Sequence, residues 1–310
     1  MKYSDNAQLD TSGVQDARSG GGLGGGRGLA VGGGGLGVLG VVAYLLISLI
    51  GGGSGGKAVT DVLGQLGAGG GPQTADNTQL AAECKTGADA NKNLDCAVVA
   101  DIDSIQNYWT AELPKLGKAY EPITTVWFTG QVSTACGTAS SGSGPFYCPG
   151  DQHVYLDLQF YDDLKTQFGA QGGLFVDAYV LAHEYGHHVQ DLLGTNAKVQ
   201  QGVTGPKSGS VRLELQADCY AGTWANHATT VPDDTGQPLI IDVTADDIAR
   251  ALDTAARIGD DYIQKNLGNG RINQNAFTHG TSVQRKKWFT TGYQSGDPKK
   301  CDTFGTDNLG

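Results

Sequence analysis

The stretch LAHEYGHHVQ, residues 181–190, packs His183, His187 and His188 around one carboxylate, Glu184, in a chain with only six histidines. His183 and His187 are four apart. On an α-helix, residues at i and i+4 lie one turn apart on the same face, so two imidazoles so placed can converge on one small cation. Glu184 follows His183 directly and projects about 100° around the helix, too far to be a third ligand from the same turn. It is placed instead to stand over a water held by the metal. This is the H-E-x-x-H pattern, in which the glutamate is the general base. Zinc supplies the electrophile and lowers the pKa of that water toward about 7. The flanks favour the metal reading over a histidine-rich amphipathic helix. Between Asp177 and Asp191 the only fixed charge is Glu184, and residues 178–182, AYVLA, are apolar. A buried histidine pair beside a carboxylate is costly unless a cation joins them.

A catalytic zinc takes three protein ligands and keeps one position open. His188 adjoins His187 and points off the metal face, so it is read as a packing or supporting residue. Downstream, RLELQADCYAG at residues 212–222 places Glu214 and Asp218 four apart in an apolar segment. Glu214 is the candidate third ligand. Asp218 is the candidate acceptor for the other ring N–H of a ligand histidine, which fixes its tautomer. The alternative for this pair is a salt bridge to Arg212 or to another base.

Around these motifs the chain reads as α+β, a small sheet followed by several helices. Residues 98–113 carry apolar positions at helical spacing and stop at Pro114. Residues 123–130, ITTVWFTG, read as a strand. Residues 133–150 read as a small-residue loop. HVYLDLQF at 153–160 alternates as a half-buried strand. Helices are expected at 160–168, 174–193, 210–228 and, behind a capping signal at Thr244, 248–267.

Composition bounds the rest. The net charge of −11 arises entirely after residue 27 and argues against nucleic acid as a partner. Residues 20–56 hold 18 glycines in 37 positions, and no charge occurs between Arg27 and Lys57. Within that window, residues 36–50 are strongly apolar. Extended upstream they are long enough to span a bilayer, and glycine is tolerated in such helices. The expected organisation is therefore a cytoplasmic segment at 1–27, a transmembrane anchor at 28–50, a flexible stalk at 51–80 and the folded domain at 81–310. Arg18 and Arg27 ahead of the span orient the N-terminus to the cytoplasm. All six cysteines follow the span, with no C-x-x-C pair, which suits disulfides in an exported domain. Sequential pairing, Cys84–Cys96, Cys136–Cys148 and Cys219–Cys301, is the expectation.

The blocks HEYGHHVQ, ELQADCYAG, GPFYCPGDQHVYLD (residues 144–157) and HGTSVQRKKWF (residues 279–289), together with the glycine-rich N-terminus, resemble the bacterial, membrane-anchored neutral zinc metallopeptidase family. The resemblance covers most of the chain. It implies a zincin-like, gluzincin-type domain in which His183, His187 and Glu214 hold Zn2+ and Glu184 is the base, acting on a peptide or protein. It implies the zinc site more directly than the substrate. Two further positions are candidates on chemical grounds. His279, in the loop FTHGTS, is a candidate donor to the oxyanion of a tetrahedral intermediate, and Tyr155 is a second. The HVYLD strand is also a candidate edge for an extended substrate. His153 and His227 are read as structural. The rivals to a peptidase are a zinc-stabilised scaffold without turnover, and a zinc hydrolase of a non-peptide amide.

Overall fold

The computed structural model describes residues 1–18, 75–200 and 202–310. The expected membrane anchor at 28–50 and the stalk as far as residue 74 lie outside the described residues. Among the described residues no helix is long and apolar enough to cross a membrane.

The architecture is mixed α+β, with a small sheet and a larger helical part. The strands are β1 (Lys2–Tyr3), β2 (Val14–Asp16), β3 (Thr124–Trp127), β4 (Gln131–Thr134), β5 (Gly137–Ser140), β6 (Phe146–Cys148), β7 (His153–Leu156) and β8 (Ile240–Asp242). The helices are α1 (Thr78–Glu83), α2 (Gly87–Ala90), α3 (Leu94–Glu112), α4 (Gln159–Thr166), α5 (Leu174–Leu192), α6 (Gly209–His227), α7 (Ala245–Arg257), α8 (Asp260–Asn266) and α9 (Ser282–Ser295). The main sheet has the order β2-β3-β7-β6. Its first three strands are parallel and β6 runs antiparallel at the edge.

Alternation along the strands assigns the two faces of this sheet. Trp127, Tyr147, Val154 and Leu156 enter the main core with the helices. Val126, Phe128, Phe146, Cys148 and Tyr155 form a smaller cluster on the opposite face, completed by Val132 and Ala139 of the β4–β5 hairpin. Helix α5 is buried almost all round, as its run of apolar residues requires. A bond between the Thr125 and Tyr185 hydroxyls, 2.9 Å, pins it to the sheet.

Two expectations are revised and one element is added. The loop at 133–150 contains the end of β4, all of β5 and strand β6. The single helix at 248–267 is two, α7 and α8. They separate at Gly259, where a Cβ would stand 2.6 Å from the Ser282 amide. Helix α9 was not anticipated. Its start is fixed by a capping box between Thr281 and Gln284.

The N-terminal boundary changes most. Residues 1–27 were expected to form a separate cytoplasmic segment, yet residues 1–18 are built into the domain. Strand β1 pairs with β8 and β2 with β3. Tyr3 is fully buried, and its hydroxyl donates to Asp101 at 2.9 Å. Gly87 lets this arm approach, because a Cβ there would fall 1.9 Å from the Ser4 carbonyl oxygen. Arg18 pairs with Asp16 and Asp95 and lies over the Trp127 ring. The chain returns beside its point of departure: the Asp76 amide donates to the Asp16 carbonyl at 3.0 Å. The last residues of the expected stalk are likewise structured, with α1 beginning at Thr78 and Leu80 buried.

Asp177, in the first turn of α5, is buried, and one of its carboxylate oxygens has no hydrogen-bond partner among the described residues. Burial pushes its pKa up to about 7, with Lys165 opposing. The folded pKa lies above the unfolded one, so the folded state binds the proton more tightly. Stability from this group is therefore present at low pH and is lost as pH rises from about 4 through about 7, on the order of 4 kcal/mol in all. Asp177→Asn should flatten this part of the profile, raising the melting temperature relative to wild type at pH 8 but not at pH 4. Equal differences at the two pH values would show that Asp177 does not titrate this way.

Candidate metal centre

Helix α5 supplies His183, Glu184 and His187, and α6 supplies Glu214 and Asp218. The two helices meet closely at Gly186, where a Cβ would stand 3.1 Å from the Ala217 Cα. That approach lets Glu214 reach across to both histidines. Its carboxylate oxygens lie 3.2 Å from His183 Nε2 and 3.6 Å from His187 Nε2. One ligand atom from each of the three residues falls within 4.8 Å of the others.

The other ring nitrogens are engaged by acceptors. His183 Nδ1 lies 3.0 Å from Asp218, and His187 Nδ1 lies 2.9 Å from Gln190 Oε1. Gln190 is itself oriented, since its amide donates to the Leu213 carbonyl and to Gln216. Both rings thus carry the proton on Nδ1 and turn Nε2 inward. Two imidazole lone pairs and a carboxylate facing one another suit a small divalent cation, and the nitrogen-and-oxygen donor set suits Zn2+.

Asp218 is fully buried and saturated with donors. Tyr179 donates at 2.7 Å, and Arg285 of α9 donates through Nε and Nη2, each at 2.8 Å. Of the alternative partners, Arg212 instead donates to the carbonyls of Thr303, Thr306 and Lys207, whereas a different base, Arg285, makes the salt bridge with Asp218. With no cation, charge balance falls on the histidines. Burial opposes a charged His183, but Asp218 and Glu214 outweigh it and lift its pKa to about 10. Burial pushes His187 down to about 4, against the pull of Glu214. Burial acts to raise Glu214, yet the two histidines hold it well below the usual carboxylate range. One positive charge is thus drawn into the space between the three donors, where a metal ion would supply it.

Glu184 is buried beside this set. Its Oε2 accepts the backbone N–H of Tyr147, on edge strand β6, at 3.1 Å. Burial lifts its pKa to about 7, with the His183 charge opposing. His279 sits in a loop organised by Asp260. The amides of Thr278, His279 and Gly280 all donate to Asp260 Oδ2, at 2.8, 2.7 and 2.9 Å. The His279 ring Nδ1 lies 3.3 Å from Asp260 Oδ1. His279 is close enough to Glu214 for its charge to lower the pKa of that ligand.

Residues 1–304 match the family model described as "Putative neutral zinc metallopeptidase". The chain belongs to this family. The uncharacterized protein Rv2575 of Mycobacterium tuberculosis (strain H37Rv) is similar, with 50% identity over 229 residues, covering 74% of this chain and 76% of the relative. The uncharacterized protein YpfJ of Escherichia coli (strain K12) is 44% identical over 209 residues, covering 66% of this chain and 69% of the relative. No solved structure matches. Membership in this zinc metallopeptidase family implies Zn2+ as the cofactor.

Against that family background, two expectations fail. Tyr155 lies on the sheet face away from α5, stacks on Phe146 and donates its hydroxyl to Asp151 at 2.9 Å. Alternation put it opposite Val154 and Leu156, and those are the residues that meet the helices. Nor can the HVYLD strand offer an edge, because β7 is paired on one side with β3 and on the other with β6. His153 bonds the Asp151 carbonyl and His227 the Gly296 carbonyl, each through one ring nitrogen. Sequence reasoning missed Gln190, Asp260 and Arg285. Gln190 was recoverable, since it stands three residues after His187 on the same helix.

The cysteines are joined as Cys84–Cys96, Cys136–Cys148 and Cys219–Cys301. Two of these bridges adjoin the centre in sequence: Cys219 follows Asp218, and Cys148 follows Tyr147. Asp218→Asn should weaken zinc binding by roughly 10–100-fold through loss of ring orientation. Chelator competition on folded variant protein would measure this, and wild-type affinity in the variant would remove the orienting role.

Proposed function

We propose that this protein is a zinc-dependent peptidase that hydrolyses a peptide or protein substrate outside the cytoplasm. The observation that carries the reading is the buried Glu184. It lies beside the His183, His187 and Glu214 donors and is bonded to the backbone of an edge strand. A scaffold zinc needs the three donors but has no use for a fourth, non-ligating carboxylate at that position. When bound, the zinc ion supplies a Lewis acid for the substrate carbonyl and increases the acidity of water.

The chain's own groups supply the remaining steps. Glu184 takes a proton from the attacking water and delivers it to the departing amine. His279 is the donor to the carbonyl oxygen as negative charge develops there. Burial opposes the charged form of that ring, but Asp260 and Glu214 together raise its pKa. In the charged form Nε2 as well as Nδ1 donates. Strand β6 is the sheet edge next to Glu184, which supports docking of an extended peptide along it. Three disulfides support an oxidising compartment for the domain.

The test uses the full chain with casein and a peptide library as substrates. Glu184→Gln should retain zinc and lose activity by roughly 10²–10⁴-fold. Glu214→Ala should lose zinc itself. His279→Ala should retain zinc and lose about 10²–10³-fold in kcat. Wild-type protein that holds zinc yet cleaves nothing would move the scaffold or the non-peptide amide ahead. Unchanged turnover in His279→Ala would remove that residue from the mechanism.

A further inference from the structure

His188, the second histidine of the HH pair, is fully buried and takes no part in the three-donor set. Its Nε2 lies 2.8 Å from the Glu121 carbonyl, and its Nδ1 lies 3.1 Å from the Tyr147 hydroxyl. A carbonyl only accepts, so Nε2 carries the ring proton and Nδ1 presents its lone pair to Tyr147. The same hydroxyl donates to Asp191 Oδ2 at 3.0 Å, so its single proton is shared between the carboxylate and Nδ1 in a three-centre bond. The ring also packs edge-on against Tyr120, with centroids 5.5 Å apart.

Tyr147 is therefore held at both of its ends by one helix. Its backbone N–H is bonded to Glu184, and its hydroxyl meets His188 and Asp191. Residues 184, 188 and 191 fall at i, i+4 and i+7, a single stripe along α5. The neighbours Phe146 and Cys148 face the opposite side of the sheet. Tyr147 is thus the one residue of β6 that enters the helix-side core. A carboxylate, an imidazole and a second carboxylate directed at one side chain give a defined position that apolar packing alone would not.

We propose that His188 and Tyr147 are positioning residues: with Asp191 they clamp edge strand β6 onto α5 and fix its height above Glu184. Any peptide bound along β6 then inherits that placement relative to the base. The catalytic consequence rests on the peptidase reading. The clamp itself does not, and the experiment separates the two.

The variants Tyr147→Phe, His188→Asn and His188→Gln are made in the full chain. Each is assayed for zinc content, for amide hydrogen exchange at Phe146, Tyr147 and Cys148, and for kcat and KM on the best peptide substrate. An asparagine amide stands where Nδ1 stood, and a glutamine amide where Nε2 stood. Tyr147→Phe and His188→Gln should therefore retain zinc but exchange the Tyr147 amide about tenfold faster, the effect of one lost hydrogen bond. His188→Asn should stay near wild type. The same two weakened variants should raise KM and lower kcat together. Wild-type exchange in Tyr147→Phe, or equal behaviour of the asparagine and glutamine variants, would overturn the clamp. A wild-type protein without peptidase activity would sink the functional reading, and the exchange data would still judge the clamp.

Discussion

Asp218 is sealed from bulk solvent. A carboxylate buried so completely must be surrounded by donors from the protein, and each donor fixes the element that carries it. His183 and Tyr179 come from α5, and Arg285 comes from α9. The arrangement of three helices is tied to this one side chain. Close helix contacts make the reach short enough. Gly292 of α9 lies so near the Cys219 carbonyl that a Cβ would stand 1.9 Å from it, and Gly222 of α6 approaches the Phe289 carbonyl to within 2.2 Å in the same sense. Replacing either glycine would force apart the helices whose approach brings Arg285 to Asp218.

The metal centre inherits its order from that carboxylate. Asp218 fixes the His183 ring, Gln190 fixes the His187 ring, and Glu214 lies one turn before Asp218 on the same helix. Neither histidine can rotate away without losing a buried bond, and such losses cost about 1–3 kcal/mol each. The site is held in register before any ion arrives, which lowers the entropy lost on binding one.

The parts legible in the sequence were those encoded by short spacing. Four-residue intervals announced His183 with His187 and Glu214 with Asp218, because a helix converts such intervals into a shared face. Contacts between distant segments left no comparable mark. Arg285 lies 67 residues from Asp218, and Asp260 lies 19 from the His279 it orients. Nothing local distinguishes either from an ordinary surface charge. The need for glycine at the break between α7 and α8 was hidden for the same reason, since what a Cβ at Gly259 would strike is the Ser282 backbone of another element. Tyr155 failed differently. Alternation identified the strand correctly, but both faces of β7 are buried, so a period of two could not say which face looks toward α5.

The arm formed by residues 1–18 bears on topology as well as on packing. Strand β2 shares a sheet with β3, and Asp16 is bonded to Asp76 on the far side of the intervening segment. A thread that leaves a knot and returns to it has both ends on one side of any wall the knot does not pierce. The arm and the metal centre belong to one folded body, so whichever compartment holds the metal centre also holds the first eighteen residues.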